Sequence, residues 1–508
     1  MNKKITNSIL IMLIVLFCIT ISPITMQNDT YYTISIGEHI IENGIDMQDP
    51  FSWHENLPYT YPHWAYDVGT YLVYSAGEAI GGLMGAYGAI YITTCILAAL
   101  LGIAIYKVNE KLVGNKLISF IITIASIYLL RGYIAARAQL VTFILFVLEI
   151  YFIEKFLQTP KKRYVLGLVL IPILIANIHC AVWWFYFVLY LPYIAEYIIS
   201  KMMKKQEGTI FNKVEFNQNK NVKYLIIVMI VCLFTGLLTP LGDVPYTYLI
   251  KTMMGNTTSN INEHLPMTII NHVEILVAVA LIVFLLVCSK AKLKLCDAFM
   301  LCGLIFLMLY SRRQLTMFVL VCGIILNKLL ADTLNNYKEN GVGILEDILL
   351  KKFGIAMISL LIVIFSVYFV VDKKDHTFVD NSTYPVEASE WILENLNLEK
   401  IKLFNEYNYG SYLLYKGIPV FIDSRADLYA PEFNTPTGKA EDGKDIFSDF
   451  ISASNLNTFY ESTFEKYEIT HVILYRNSKM NLVICNTNDG TYNCVYEDDY
   501  FTIYEIEK

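Results

Sequence analysis

Residues 27–80 form an acidic, aromatic segment that holds the side chains best suited to acid–base chemistry. Its carboxylates and histidines are Asp29, Glu38, Glu42, Asp46, Asp49, Glu55, Asp67, Glu78, His39, His54 and His63. Carboxylates and imidazoles are common general acids and bases. No lysine or arginine lies between Lys4 and Lys107, and such depletion is typical of short segments outside a membrane. We therefore predict an outer loop in which a carboxylate could act as a catalytic base.

Asp29 is the acid nearest the first apolar segment, and it stands in the sequence NDTYY. The following residues, TYYTISIGEHIIENG, place four isoleucines near one face of a helix, with Glu38 and Glu42 off that face. An amphipathic helix of this kind lies in the membrane interface, and it would hold Asp29 at the surface. A carboxylate here also suits two plainer roles, a solvated loop acid or a helix N-cap.

The rest of the loop, DPFSWHENLPYTYPHW, is dense in proline, histidine and aromatic residues. Aromatic rings beside acids suit a sugar-binding surface, because sugar C–H faces stack on rings and hydroxyl groups need acceptors. The same residues suit an aromatic belt at the level of the lipid headgroups. Within this stretch, Asp49 and His54 are candidate contacts to an acceptor substrate.

Polar and charged residues at the outer ends of predicted membrane helices form a second group. They are Arg131 and Arg137 in RGYIAAR, Arg312 and Arg313 in SRRQ, and Asn177 and His179 in ANIHCAVWW. Charge at membrane depth is costly and needs a reason. Guanidinium groups pair well with phosphate, often through two hydrogen bonds. The alternatives are an anionic ligand or arginines that simply extend to the interface; paired arginines at two outer turns favour the ligand.

The segment VFIDSRADLY brings Asp423, Arg425 and Asp427 close together in the sequence. We interpret Asp423 and Arg425 as candidate acceptor-side contacts, with a metal contact at the mouth of a cavity as a further possibility. The alternative is an ion-paired turn after a strand. No Cys/His spacing typical of a metal site occurs, so a divalent metal ion stays open as a cofactor and no metal ligand is assigned.

The composition indicates a polytopic α-helical membrane protein. The chain has 508 residues, 55% of them hydrophobic, and a mean hydropathy of +0.46, which soluble domains rarely reach. We predict eleven spans, at residues 5–26, 82–106, 117–131, 137–156, 164–178, 181–200, 222–239, 273–289, 295–311, 314–330 and 353–372. Lysines then fall on alternate loops, so the N-terminus is predicted to be cytoplasmic and the C-terminus outside the plasma membrane. A signal peptide at the N-terminus is the less favoured alternative, and no basic face supports nucleic-acid binding.

Residues 373–508 are predicted to form a small extracytoplasmic α/β domain after a membrane domain of residues 1–372. EASEWILENL predicts an amphipathic helix after Pro385. The segments KLFN, VFID, HVILY, NLVICN and YFTIYEI predict strands from their β-branched and aromatic residues. Cys485 and Cys494 flank NTNDGTYN, and a disulfide between them is possible in an oxidising compartment.

The order of motifs resembles the GT-C superfamily of glycosyltransferases, and more narrowly a bacterial group of GT-C-like membrane proteins. The resembling stretches are GEHIIENGIDMQDPFSWHENLPYTYPHW, RGYIAARAQLVTFIL, IPILIANIHCAVWW, LLTPLGDVPYTYL with NEHLP, and FNEYNYGSYLLYKGIPVFIDSRADLY. The resemblance implies sugar transfer from a polyprenyl-phosphate donor on the outer face, with membrane lipids as surroundings and inversion of the anomeric centre. It implies Asp29 as the base and the four arginines as competing phosphate ligands. His63, His179 and Asn177 would be secondary contacts.

Two other functions fit the chain less closely. A lipid or solute transporter would place charges along a path, but transporters usually show repeated halves and interrupted helices, and the charges in the predicted spans lie at their ends. A GT-C-like scaffold without activity is the other alternative. It is favoured by Asn28–Asp29 where many relatives have two adjacent acids, and by ANIHCA, which lacks the glycines that often follow the histidine.

Overall fold

The computed structural model describes residues 3–202, 213–255, 257–268, 272–337, 348–435, 442–487 and 490–507. Its contacts divide the chain into two compact units. The helical unit comprises Met1–Pro23, Tyr91–Pro245 and Asn262–Asp375. The mixed unit comprises Ile24–Ile90, Tyr246–Ile261 and His376–Lys508. The residues of the first outer loop thus fold together with the C-terminal residues, while the domain boundary at residue 372 stays a prediction.

Helices account for most of the described chain. They are α1 (Lys3–Ile21), α2 (Asn28–Asn43), α3 (Trp64–Val113), α4 (Lys116–Leu130), α5 (Ala138–Gln158), α6 (Lys162–Ile178), α7 (Trp183–Val188), α8 (Leu191–Met202), α9 (Val222–Cys232), α10 (Val244–Met254), α11 (Thr257–Asn260), α12 (Val273–Cys288), α13 (Leu295–Tyr310), α14 (Leu315–Asn336), α15 (Lys352–Asp372), α16 (Val386–Asn395), α17 (Tyr407–Tyr415), α18 (Ile446–Ser454), α19 (Tyr460–Tyr467) and α20 (Lys479–Ile484). The strands are β1 (Val214–Glu215), β2 (Leu293–Lys294), β3 (Leu403–Phe404), β4 (His471–Tyr475), β5 (Tyr492–Glu497) and β6 (Phe501–Ile506).

The mostly helical membrane architecture predicted from the sequence is confirmed, and each of the eleven predicted spans consists largely of helix. Six described segments are long and apolar enough to cross a membrane: Lys4–Ile21, Trp64–Val113, Lys116–Tyr133, Cys180–Met202, Arg312–Asn336 and Lys352–Asp372. Val222–Leu237, Val273–Cys288 and Leu295–Tyr310 are shorter apolar helices. The number eleven stays a prediction, because length and composition alone do not make every helix a span.

Small residues let helices approach closely in the helical unit. A Cβ atom at Gly102 of α3 would lie 2.7 Å from Ile14 Cγ2 and 2.8 Å from Cys18 Sγ, both on α1. A Cβ atom at Gly323 of α14 would lie 2.8 Å from Ser126 Oγ on α4. In a bilayer, an apolar side chain is accommodated about as well by lipid as by another helix. Close packing of small residues therefore contributes to holding such helices together.

The mixed unit contains a four-stranded sheet in the order β3–β4–β6–β5. β3 pairs with β4 in parallel, and β4 with β6 and β6 with β5 are antiparallel. The outer loop folds onto residues near this sheet: Trp53 Nε1 donates to the Leu403 carbonyl at 3.0 Å, and Ser52 bridges to Val420. Helix α2 packs against α17, so it is part of the core of the mixed unit.

Two strand predictions for the C-terminal residues are wrong. NLVICN is largely helix α20, because the Ser478 side chain caps its N-terminus by accepting from the Asn481 amide. VFID forms no strand, because the Asn405 side chain bonds the Phe421 amide at 2.8 Å and the Ile422 carbonyl at 2.7 Å in place of a neighbouring strand. Strand β5 was not predicted, whereas KLFN, HVILY, YFTIYEI and the helix after Pro385 are confirmed in type.

Candidate functional site

Asp29 lies in the first turn of α2, in the mixed unit. Its side chain is partly exposed, and a carboxylate at this end of a helix is favoured by the helix dipole. The preceding Asn28 side chain donates from Nδ2 to the Tyr407 carbonyl at 3.0 Å. That bond fixes the beginning of α2 against the beginning of α17, so the backbone that carries Asp29 is held in place.

The predicted helix after Asp29 exists, but its burial is not that of a helix resting in an interface. All residues from Thr30 to Gly37 are buried, and exposure begins at Glu38. Tyr31 packs edge-on against Tyr384 and Tyr412, with ring centroids 5.0 Å apart in both cases. Helix α2 is therefore a core element, surrounded on several sides by its own unit, and the expected single apolar face is wrong.

Gly37 explains how α2 can be surrounded. A Cβ atom at this position would lie 2.2 Å from the Asp67 carbonyl oxygen and 2.7 Å from Tyr71 Cβ, both on α3. Only glycine permits that approach, so α2 crosses the first part of α3 at direct backbone contact. The helix that carries Asp29 is therefore clamped between α3 and α17.

Arg425 joins Asp49 and Asp423 in one buried cluster of the mixed unit. Its Nη1 lies 2.7 Å from Asp49 Oδ1, and its Nη2 lies 2.7 Å from Asp423 Oδ2. The Arg425 side chain is 3% exposed and both carboxylates are fully buried. Tyr429 donates to Asp423 Oδ2 at 2.6 Å, and the guanidinium stacks over Tyr59. Asp49, Asp423 and Arg425 were predicted from the sequence as acceptor-side contacts. In the structure they are partners of one another.

The charges of this cluster stabilise each other. Burial alone would raise the pKa of Asp49, but the Arg425 charge and hydrogen bonds from Ser52 outweigh it and hold that pKa below its usual range. Burial opposes the charge of Arg425 as well, yet Asp423 and Asp49 raise its pKa further. His54, the fourth acceptor-side candidate, is also buried, and its Nε2–H donates to the Phe421 carbonyl at 2.9 Å. None of these four side chains is oriented to an acceptor by these contacts; they are occupied within the fold.

A divalent metal ion was left open by the sequence, and the donor set gives it no support. Within the residues that the structure describes, no three His, Cys, Asp or Glu side chains are arranged to hold a metal ion. The carboxylates of Asp49 and Asp423 already accept from Arg425. The residues do not fit a metal site, and no step below is assigned to one.

Two of the predicted phosphate-binding arginines contact the same short segment of the helical unit. Arg137 Nη1 lies 3.4 Å from Glu263 Oε1, and Arg313 Nη1 donates to His264 Nε2 at 3.2 Å. The Arg313 amide donates to the Glu263 carbonyl at 2.8 Å. The segment of Glu263 and His264 therefore joins the RGYIAAR and SRRQ turns into one cluster. We call Arg137, Arg313, Glu263 and His264 the outer arginine cluster.

The electrostatics of this cluster follow from its contacts. Burial would raise the pKa of Glu263, but the charges of Arg137 and Arg313 outweigh it and lower that pKa, so the carboxylate is ionised at neutral pH. Burial, helped by the Arg313 charge, lowers the pKa of His264 to about 4. Since Arg313 is only a donor, His264 Nε2 must accept, and its ring proton resides on Nδ1. Two cations, one anion and a neutral imidazole give a net charge of about +1.

The remaining sequence candidates lie apart from this cluster or at its edge. Arg312 Nε donates to the Pro266 carbonyl at 3.3 Å, on the same segment as Glu263. Arg131 stacks over Tyr128 at 4.1 Å and lies 3.7 Å from Glu274. The polar candidates have contacts elsewhere. Asn177 Nδ2 donates to the Ile173 and Leu238 carbonyls. Buried His179 Nδ1 lies 3.3 Å from Thr142 Oγ1, and the His63 carbonyl accepts from the Tyr66 and Asp67 amides.

Buried charges inside the helical unit were not predicted from the sequence. Glu149 lies in the middle of α5, fully buried, and neither carboxyl oxygen has a hydrogen-bond partner among the described residues. Lys328 Nζ lies 2.8 Å from Glu154 Oε1 and 3.1 Å from Asp297 Oδ1. The statement that charges lie only at span ends is therefore wrong for Glu149. A carboxylate in the middle of an apolar run was the sequence signal for Glu149. The sequence signal for Glu263 was its place in the NEHLP motif.

No protein-family model and no curated protein sequence matches this chain. Among solved structures, the fold is similar to the Archaeoglobus fulgidus oligosaccharyltransferase tethered with an acceptor peptide, with 13% identity, a TM-score of 0.58 and coverage of 100% of this chain and 74% of that chain. It is also similar to archaeal oligosaccharyltransferase AglB from Archaeoglobus fulgidus in complex with an inhibitory peptide and a dolichol-phosphate, with 11% identity, a TM-score of 0.61 and coverage of 93% and 70%.

The similarity extends over nearly all of the present chain. At 11–13% identity it concerns the fold rather than individual residues. The chain therefore shares its fold with these oligosaccharyltransferase structures.

Proposed function

We propose that this protein transfers a sugar from a polyprenyl-phosphate-linked donor to an acceptor on the outer face of the membrane, with inversion at the anomeric carbon. The observation that supports this most directly is the outer arginine cluster, a net positive site at the predicted outer turns of a GT-C fold. A similar structure, AglB, has been solved in complex with a dolichol-phosphate, which is a lipid of the same chemical class as the proposed leaving group.

The proposed reaction is a single displacement. The acceptor's nucleophilic atom attacks the anomeric carbon opposite the phosphate, a new glycosidic bond forms, and the bond from that carbon to the phosphate oxygen breaks with its electron pair on the oxygen. Asp29 takes the acceptor proton as general base. The donor is a phosphodiester with one negative charge, and the released polyprenyl phosphate becomes a monoester with a second charge.

Arg137 and Arg313 stabilise the charge that develops on the phosphate. Guanidinium groups donate to phosphate oxygens in pairs of parallel hydrogen bonds, which a lysine cannot reproduce. Donors that are fixed before the reaction begins give the largest electrostatic stabilisation. Arg313 meets this condition, since its amide and its side chain are both bonded to the Glu263–His264 segment.

The base assignment is tested with Asp29→Asn, which keeps the shape of the side chain and removes its basicity. Loss of a general base typically lowers the rate about 10²–10⁴-fold, and the thermal midpoint should stay unchanged because Asp29 is partly exposed. Glu38→Gln is the matched control, since Glu38 is an exposed acid on the same helix. The assay measures transfer by purified protein in liposomes, from a panel of polyprenyl-phosphate sugars into membrane acceptors.

The arginine assignment is tested in the same liposomes. Arg137→Lys and Arg313→Lys should raise the KM for the donor, because donor binding loses its paired hydrogen bonds, and should lower kcat, because the charge that develops on the phosphate is less well stabilised. A fully active Asp29→Asn variant would remove Asp29 from the mechanism and leave Glu38 or Asp46 as the next candidates, since Asp49 is buried against Arg425. Absence of transfer by the wild-type protein with every donor would favour the inactive scaffold.

A transporter remains the second candidate, and one observation favours it. Glu149 and the Lys328–Glu154–Asp297 cluster put ionisable groups inside the helical unit, and such residues often mark a transport path. The same liposomes, loaded with a fluorescent short-chain lipid or a solute, distinguish the two functions. Movement of the lipid or solute without sugar transfer would overturn the glycosyltransferase proposal.

A further inference from the structure

Glu263 gives the outer arginine cluster an internal anion. Its carboxylate lies beside Arg137 at 3.4 Å, and the lowered pKa described above keeps it charged. With two arginines, one carboxylate and a neutral His264, the cluster holds a net charge of about +1. Removal of the carboxylate alone would double this charge without changing either arginine.

The net charge matters because the two ligands of the proposed reaction differ in charge. A polyprenyl-phosphate sugar is a phosphodiester with one negative charge. The product is a phosphate monoester, whose second ionisation near pH 6 brings its charge to between about −1.5 and −2 at pH 7. Arginines alone would therefore bind the product more tightly than the substrate, and the product would leave slowly.

We propose that Glu263 is a specificity-determining residue, which matches the outer arginine cluster to a singly charged isoprenoid phosphodiester and weakens binding of the doubly charged monoester. This inference rests on the proposed function, because it takes the phosphate of the lipid donor as the ligand of Arg137 and Arg313. It further implies that the donor is linked through one phosphate, since a pyrophosphate linkage carries an additional charge.

The backbone around Glu263 holds its carboxylate at the cluster independently of the side-chain contact. The Arg313 amide donates to the Glu263 carbonyl at 2.8 Å, the Arg312 amide to the Leu265 carbonyl at 3.0 Å, and the Met267 amide to the Leu309 carbonyl at 3.2 Å. These bonds do not involve the Glu263 side chain. Glu263→Gln should therefore leave the segment in place and change only the charge.

The magnitude follows from Coulomb's law. A charge about 6 Å from the ligand, at an effective dielectric constant between roughly 40 and 80, changes the affinity for a singly charged ligand about three- to tenfold. Solvent reaches the Glu263 side chain, which is 44% exposed, so values near the lower end are expected. The energy is proportional to ligand charge, so a doubly charged ligand changes about ten- to a hundredfold, and the ratio of the two affinities shifts about three- to tenfold.

The experiment measures binding of two probes to the purified full-length protein in detergent at pH 8 and low salt. Farnesyl monophosphate represents the doubly charged monoester, and its methyl ester represents the singly charged diester. Glu263→Gln should tighten both and shift their affinity ratio toward the monoester about three- to tenfold. Glu274→Gln is the matched control, since it removes an exposed carboxylate beside Arg131 and should change the ratio less than twofold.

The outcomes separate this inference from the proposed function. If both probes bind the wild-type protein through Arg137 and Arg313 but Glu263→Gln leaves the ratio unchanged, the charge-matching role is refuted and the donor site stands. If neither probe binds, the donor site itself is refuted. A third probe, phosphatidylglycerol, is also a singly charged phosphodiester; if it competes as well as the methyl ester, the cluster is a general phospholipid headgroup site and the inference fails.

Discussion

Replacement of Arg425 by methionine should unfold the mixed unit at a much lower temperature. The guanidinium is 3% exposed and satisfies two fully buried carboxylates, those of Asp49 and Asp423. Methionine has a similar length and leaves both carboxylates without their cation. Removal of one partner of a buried ion pair typically costs about 3–5 kcal/mol, because the remaining charge stays buried and uncompensated. This assigns Arg425 a structural role, whereas the sequence made it an acceptor contact.

The expected shift can be expressed as a temperature. For a unit of about 200 residues, each kcal/mol changes the thermal midpoint by roughly 2–4 °C, so the loss corresponds to about 6–20 °C. The assay is thermal unfolding of the purified full-length protein in detergent, followed by intrinsic fluorescence. Arg476→Met is the matched control, since Arg476 forms an exposed pair with Glu497 at 2.8 Å; such surface pairs contribute under about 1 kcal/mol.

A triple variant shows whether the uncompensated charges are the cause. Asp49→Asn and Asp423→Asn, added to Arg425→Met, remove both carboxylate charges and should restore much of the lost stability. Transfer activity below the melting temperature supplies the opposing test. An Arg425→Met protein that melts like the wild type but shows a raised KM for the acceptor would refute the structural role and return Arg425 to the substrate site.

Two further predictions concern buried groups elsewhere. Lys328→Met should lower stability by about 3–5 kcal/mol, because it leaves Asp297 buried without its cation and Glu154 with only Lys294, at 3.7 Å. Lys292→Met at an exposed pair with Glu215 should cost under about 1 kcal/mol; equal thermal shifts would contradict this. Burial lowers the pKa of His54 to about 4, so the folded state binds this proton less readily than the unfolded state. Stability is therefore lost as pH falls below about 6.5, by roughly 2 kcal/mol between pH 7 and pH 5. His54→Phe should flatten that decline in thermal scans at several pH values, and an unchanged slope would contradict the assignment.

The helices of the membrane part could be predicted from the sequence because each is an apolar run bounded by polar residues. Segments such as residues 117–131 and 353–372 have almost no alternative structure, and both coincide with helices. The break near residue 190 was not predicted. It lies inside one predicted span, residues 181–200, where α7 ends at Val188 and α8 begins at Leu191. Periodicity alone does not locate a break of that kind.

The C-terminal elements were harder to predict because short apolar runs suit both helix and strand. NLVICN is rich in β-branched residues, but the Ser478 cap, just outside the run, makes it helical. VFID reads as a strand, but the hydrogen bonds that decide its structure come from Asn405, fifteen or more residues away. Such contacts are tertiary, and local sequence does not contain them.

For the candidate site, the sequence allowed a selection by residue type but could not assign the partners of each residue. Asp49 and Arg425 were both selected for chemistry, yet they are 376 positions apart, and nothing local indicates that each neutralises the other. Arg137 and Arg313 were selected as phosphate ligands, and their common partner Glu263 came from a third segment. Selection by residue type gives candidates, and only the partners divide them into structural and functional groups.

Net charge and exposure distinguish the buried group around Arg425 from the outer arginine cluster. Arg425 faces two carboxylates and is almost completely buried, so its group carries a net charge of about −1 and has no capacity for a further anion. The outer arginine cluster has two cations for one carboxylate, and its Arg137 and Glu263 side chains are 26% and 44% exposed. It therefore carries a net charge of about +1 that solvent, and hence a ligand, can reach. A phosphate is attracted to the second cluster and repelled by the first, although the sequence offered both as substrate contacts.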